Sequence, residues 1–391
     1  MLSNFSEKLS KKLSLTKNIM DQNQLPTAIV LPSLDINIED QWEKTRGIAT
    51  PRFSTVSEIY PNQNFQIIIV LGKYKIVDNK IRVNITCDVE STDGKTTLPS
   101  DFNITLEANL EKFIGLILLP KLPVFTFNST YPEGEYKVIV KVNDTQTEED
   151  VEVIENTVTL RKDFPNKPLE LKDELETWRQ NYYLDPKPNE LLHAYFKSLD
   201  EIGINNDASI LFYVEALNNS LFLADDINRL LADENLPQLH RNGLNILLAR
   251  SNYKNVDLEN FSDQELKILH EIREEGFYNP LLLEETVSHP RGLDMLWSLF
   301  FANGKYENIE KIIDALALTE GKDPENLKDL PQEEAIAFAI GSASFWSLGV
   351  NGKHHPLVKT FMIYKVNQPN IPEYVKDSLI SILTEMDAEE N

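Results

Sequence analysis

From Phe65 the chain alternates apolar and polar residues with a period of two. The run Phe65–Leu71, FQIIIVL, reads as a buried strand. Ile81, Val83, Ile85 and Cys87 then share one face, and Arg82, Asn84 and Thr86 share the other. This is the pattern of a half-buried antiparallel strand, because successive side chains leave opposite faces of a pleated backbone. Asp93-Gly94 is a tight-turn signal. Phe102, Ile104 and Leu106 alternate next. Ile114–Leu119, Val124–Phe127, Tyr136–Val142 and Val151–Leu160 follow, with turns at Glu133-Gly134 and Asn143-Asp144. About seven strands in about 100 residues, with no helical period between them, predict an antiparallel β-sandwich over residues 51–162.

The period changes across RKDFPNKP (161–168), which marks a domain boundary. Beyond it the pattern is helical throughout, which predicts an all-α domain over 168–391. Candidate helices run over 169–183, 188–200, 207–219, 224–233, 237–250, 262–275, 279–288, 291–303, 307–318, 332–348, 356–366 and 372–387. Ser262 with Glu265 forms a capping box. Pro237, Pro280, Pro331, Pro356 and Pro372 stand near helix starts, where a missing N–H costs nothing. Short connections predict stacked helical hairpins, although no fixed repeat period exists. Two segments are apolar almost all round. One is Leu293–Phe301, with Trp297, Phe300 and Phe301; the other is Ala335–Leu348, with Phe338 and Trp346. Both patterns predict helices buried at the centre of the domain, with Gly341, Ser342, Ala343 and Ser344 allowing close approach.

Two stretches resemble known kinds of domain. Pro132-Glu133-Gly134-Glu135-Tyr136 followed by KVIVKVND resembles the late hairpin of immunoglobulin-like modules, over residues 60–160. The disulfide pair of true immunoglobulin domains is absent. LDMLWSLFFANGKYENIEKIIDAL (293–316) and FWSLGVNGKHHPLV (345–358) are similar to helical domains that recur in bacterial proteins. The resemblances imply an immunoglobulin-like sandwich, a helical-hairpin stack and a bacterial source. The fold class is therefore α+β in separate domains.

Charge adds a constraint. The net charge is −24, yet residues 1–20 carry Lys8, Lys11, Lys12 and Lys17 against Glu7 alone. The remaining body is strongly acidic, which disfavours a nucleic-acid partner and admits a basic protein partner. Within residues 1–50, taken as tail and linker, Leu2, Phe5, Leu9 and Leu13 fall at helical spacing. Residues 1–19 read as a tail, as a segment for contact with an anionic membrane surface, or as a non-classical export signal. Residues 21–52 contain Pro26, Pro32 and Pro51 and read as an extended linker or an edge strand. No run of about 18 apolar residues is present, which argues against a transmembrane segment, and no secretory signal is visible. Cys87 is the single cysteine; it reads as a small buried residue and fits a reducing compartment.

Candidate chemistry is sparse. His270-Glu271 with Glu274 is half of a zincin helix that lacks its second histidine. His354-His355-Pro356 is a histidine pair before a helix, and adjacent residues there point in different directions. His289-Pro290-Arg291-Gly292 is an interhelical turn in which Arg291 serves an anion or, more simply, a structural ion pair. Gly349-Val350-Asn351-Gly352-Lys353 has its glycines too close for a phosphate loop, and Gly341-Ser342-Ala343-Ser344-Phe345 fails the nucleophile-elbow pattern. No catalytic, cofactor-binding or metal site is assigned, and no cofactor is expected. The sequence supports a non-enzymatic protein-interaction or scaffold protein, cytoplasmic or exported by a non-classical route. The alternatives are a translocated or secreted bacterial effector, and an enzyme of unrecognised type using His240, His270, His354 or His355.

Overall fold

The computed structural model describes residues 27–111, 114–146, 151–162, 175–203, 206–251, 261–263, 266–267, 270, 287–322 and 330–389. The expectations for residues 1–19, for the 163–168 part of the boundary, for the Ser262–Glu265 capping box and for most of the helices at 262–275 and 279–288 lie outside these residues. The fold mixes sheet and helix in two compact units. One comprises residues 1–35 and 53–165, the other 36–52 and 166–391.

In the first unit β1 (Ala28–Ser33), β2 (Glu58–Ile59), β3 (Asn64–Leu71), β4 (Lys80–Ser91) and β5 (Thr97–Leu98) are followed by five more strands. These are β6 (Asn103–Asn109), β7 (Ile117–Leu118), β8 (Val124–Thr126), β9 (Gly134–Asp144) and β10 (Glu152–Leu160). Each of the seven alternating segments of the sequence overlaps one of them. One sheet has the order β1-β3-β7, with β8 also on β3; the other runs β2-β10-β9-β4-β5, with β6 also on β4. Pairing is antiparallel except β10 with β2. Pro32 lies in β1, an edge strand, where its missing N–H leaves no ladder bond unmade.

The period-two pattern of β4 becomes a buried ladder. Ile81, Val83, Ile85, Cys87 and Val89 are buried, and Cys87 stands opposite Val140 while Val89 stands opposite Val138. Both sheets contribute to a single apolar cluster, with Phe65, Ile67, Ile69 and Phe127 from one side and the β4 and β9 residues from the other. The Asp93-Gly94 signal is a turn in which Gly94 has φ 70° and the Asp93 carboxylate accepts from Ser91 Oγ at 2.7 Å and Lys95 N at 3.1 Å. These bonds favour the ionised form and hold the Asp93 pKa down at about 2. Tyr136, buried at the start of β9, donates its hydroxyl to Pro132 O at 2.8 Å.

The second unit begins before most of the first. Residues 21–52 read as an extended linker or an edge strand; Ala28–Ser33 is the edge strand β1, whereas α1 (Ile38–Thr45) buries Ile38, Gln41 and Thr45 within the helical unit. The spacing 38, 41, 45 is helical, but three buried positions in eight residues make a weak period. Then come α2 (Leu175–Asn181), α3 (Leu191–Ile202), α4 (Asp207–Asn218), α5 (Ala224–Ala232) and α6 (Gln238–Arg250). After these follow α7 (Pro290–Asn303), α8 (Tyr306–Asp314), α9 (Gln332–His354), α10 (Pro356–Val366) and α11 (Glu373–Glu389). Helix α7 is buried as expected, with Trp297, Phe300 and Phe301 each under 8% exposed. It ends at Gly304, whose φ of 66° suits glycine. A β-carbon there would stand 2.2 Å from Asn37 Nδ2, so the position admits no larger residue.

Helix α9 departs from the sequence reading. It runs straight through Gly349 and Gly352, so the glycine pair lies in helix interior. A β-carbon on Gly352 would meet the flexible side chains of Met362 and Met386. It is not buried all round. Only Ile340, Gly341, Ser344, Leu348 and Gly352 are buried, a stripe packed on the 3-10 turn at Ala315–Thr319 and on α11. Gly341 has less yielding neighbours, because a β-carbon there would lie 2.7 Å from Thr319 Cγ2 and 3.1 Å from the Ala315 carbonyl oxygen. Trp346, expected in the core, is 69% exposed. By length and composition alone the helix is also long and apolar enough to cross a membrane, a test that a core helix of a globular protein passes as well.

Two outcomes follow. Trp297→Ala should lower stability by about 3–5 kcal/mol in a denaturant melt, whereas Trp346→Ala should change it by less than about 0.5 kcal/mol. Burial, and then the neighbouring Asp88 charge, push the Cys87 thiol up to about 12. A thiol reagent at pH 8 should therefore label the native protein no faster than it unfolds.

Candidate functional site

Among the described residues, the helical unit has an open cleft of about 400 Å³ lined by Asp40, Lys44, Tyr306, Glu307, Glu310, Tyr364 and Gln368. Helix α1 supplies Asp40 and Lys44, α8 supplies Tyr306, Glu307 and Glu310, and α10 with the turn after it supplies Tyr364 and Gln368. The elements meet because Asp40 substitutes for a missing cap. Lys305 precedes α8 with no side-chain cap, and Asp40 Oδ2 instead accepts the Tyr306 N–H at 2.9 Å from 266 residues away. A carboxylate on the first N–H of a helix satisfies an orphan donor and complements the positive end of the dipole.

The other Asp40 oxygen accepts from Lys44 Nζ at 2.6 Å, and that ammonium lies 5.2 Å from the Tyr306 ring centroid. Burial pulls the Lys44 pKa down, but the Asp40 bond and surrounding charge outweigh it and leave the pKa raised. Tyr306 packs edge-on to Phe361 at 5.1 Å and to Tyr364 at 5.4 Å. Burial, and then Glu310, raise its phenol, so it stays neutral. Beside the cleft Lys365 Nζ bridges Glu310 at 2.9 Å and Asp314 at 3.0 Å. Three carboxylates line the cleft against one ammonium, and Glu307 is exposed at its edge. The arrangement suits a cation: carboxylates to pair with it and tyrosine faces to stack on it.

None of the sequence candidates lies in this cleft. His240, on α6, pairs with Asp200 of α3 at 2.9 Å and stacks on Phe196 with centroids 4.5 Å apart. His270 and His354 are exposed. Glu271 and Glu274 lie outside the described residues. His289 caps α7 by accepting the Arg291 N–H at 3.1 Å, and the exposed Arg291 makes no ion pair with a described residue. His355 is buried between α9 and α10 beside Tyr183, Phe300 and Phe301. Its Nδ1 meets the Tyr183 hydroxyl at 3.2 Å, and its Nε2, like Trp297 Nε1, has no hydrogen-bond partner among the described residues. Burial, and then the adjacent His354 charge, lower its pKa to about 4. Among the described residues no group of three His, Cys, Asp or Glu is arranged to hold a metal.

No family model matches the sequence, and no curated protein matches it. Several solved structures match weakly. Salmonella alpha-2-macroglobulin reacted with methylamine is 11% identical over 93% of this chain and 26% of its own, with a TM-score of 0.22. A family 123 glycoside hydrolase from Clostridium perfringens is 11% identical over 46% of this chain and 36% of its own, at 0.20. Bacteroides uniformis beta-glucuronidase 2 is 11% identical over 63% and 31%, at 0.21. The chain thus spans between 26% and 36% of the length of these matches. At these TM-scores they carry no argument about fold or activity.

The buried histidine generates a pH prediction. A neutral His355 in the fold, against an ordinary value of 6.5, means that the unfolded chain binds the extra proton between pH 6.5 and 4. Its contribution to stability is therefore present above pH 6.5 and is lost as pH falls toward 4. Melts of wild type and His355→Phe across that window should differ in slope, the variant being the less acid-sensitive. Parallel curves would refute the buried neutral state.

Proposed function

We propose that this is a non-enzymatic protein-interaction protein whose helical unit receives a basic side chain of a protein partner in the Asp40–Tyr306–Glu310 cleft. One observation carries the reading: three carboxylates and two tyrosines converge on an open volume large enough for a guanidinium or ammonium group. The Lys44 ammonium beside the Tyr306 ring supports it, because this wall already accommodates a cation of the chain's own. The net charge of −24 would speed the approach of a basic partner and repel nucleic acid. We read the first unit as an immunoglobulin-like sandwich presenting a second surface. Two sheets share one core, and the Tyr136 hydroxyl reaches back four residues to Pro132 in the manner of a tyrosine corner. The helical unit is read as a stack of helical hairpins.

The test is calorimetric titration with an arginine-rich decapeptide and with an acidic peptide of equal length. The basic peptide should bind with an affinity that falls with salt, and the acidic one should not bind. Glu307→Lys, at an exposed position, should weaken binding about tenfold, or 1.4 kcal/mol. Binding that this charge reversal leaves unchanged would place the interaction elsewhere.

A further inference from the structure

The outward face of α9 departs furthest from what a water-facing helix carries. Ile336, Ala339, Ala343 and Trp346 are all exposed, and Val350 continues the line half-buried. Phe338 and Phe345 flank it, also half-buried. No charged residue occurs between Glu334 and Lys353. The steps 336, 339, 343, 346 and 350 alternate three and four, the spacing of a seam that meets another helix. The opposite stripe, through Gly341 and Leu348, already packs inside the unit, so the seam is a second, separate face. It is distinct from the acidic cleft, and the inference does not rest on that reading.

We propose that this face pairs with the same face of a second copy of the chain, antiparallel, about a two-fold axis beside Ala343. The helix is self-complementary in that direction. Its first turn carries Glu333 and Glu334, and its last turn carries Lys353 and His354. Antiparallel pairing sets each acidic end against the partner's basic end, whereas parallel pairing sets like against like. The shapes agree too. Trp346 of each copy lies over the small Ala339–Ala343 step of the other, and Ile336 lies near Val350. Parallel pairing would instead stack Trp346 on Trp346 and leave a gap at the alanines. A two-fold contact of this kind uses one patch twice. One helix pair covers roughly half of the ~800 Å² per partner of a standard interface, so the dimer is expected to be reversible at about micromolar concentration.

Sedimentation equilibrium of the full chain from about 1 to 200 μM tests this. The mean mass should rise from one chain toward two, and Trp346→Glu should keep it at one while leaving the melting temperature unchanged, because the side chain is exposed. Direction is read by cysteine cross-linking, since the native Cys87 is buried. Ala343→Cys should form an inter-chain disulfide with itself. Ala339→Cys should cross-link when mixed with Trp346→Cys and far less with itself. A monomer at every concentration would overturn the proposal, as would a dimer that Trp346→Glu leaves intact. So would a monomer that dimerises only after residues 1–26 are removed, which would assign the face to that segment. A monomer whose Trp346 emission shifts to the blue on phosphatidylcholine vesicles would assign it to lipid and equally overturn the proposal.

Discussion

A single carboxylate, Asp40, ties together parts of the helical unit that are distant in sequence. One oxygen caps the first N–H of α8, and the other holds the Lys44 ammonium that lies against the Tyr306 ring. Two residues before α8, Asn37 Nδ2 approaches the Gly304 carbonyl at 3.4 Å, a contact that only a glycine at 304 leaves room for. The turn between α7 and α8 is therefore shaped to receive the segment that precedes most of the sheet unit. This makes the chain cross between the two units three times, and it builds the cleft as a by-product. Without α1 the cleft would lose one of its carboxylates and its only lining ammonium.

The charges of the cleft follow from the same contact. Asp40 is committed to a cap and to Lys44, and Glu310 is committed to Lys365. These pairs fix the wall, while Glu307 at the edge and the face of Tyr364 complete it. The acidic cleft and the uncharged seam on α9 are opposite kinds of surface on one helical unit. The first suits a charged group that keeps part of its hydration, and the second suits a matched helix that excludes water.

The legibility of these features in the sequence tracks how local their causes are. The alternation in Ile81–Cys87 was readable because one face of β4 is wholly buried and the other is not. Prolines 237, 331, 356 and 372 stand at or just before helix starts, since their constraint is local, and Pro280 lies outside the described residues. Helix α1 was missed because eight residues with three buried positions give a weak period, and a partner 266 residues away gives none. Its cleft was missed with it; Tyr306 and Glu310 lie in a segment that was singled out, but as helix and not as site. Helix α9 was misread for a different reason. An apolar composition fixes what a helix avoids, not which side is covered, and only the small residues at 341, 344 and 352 point to its buried stripe.

The most direct test of this account is hydrogen exchange at the start of α8 in Asp40→Ala. Loss of the remote cap removes an interaction of about 1 kcal/mol, so the amide of Tyr306 should exchange about fivefold faster or more, while the amides of β4 and β9 keep their wild-type rates. Unchanged protection at Tyr306 would mean that α8 is anchored without α1, and it would contradict the claim that residues ahead of most of the sheet unit complete the helical one.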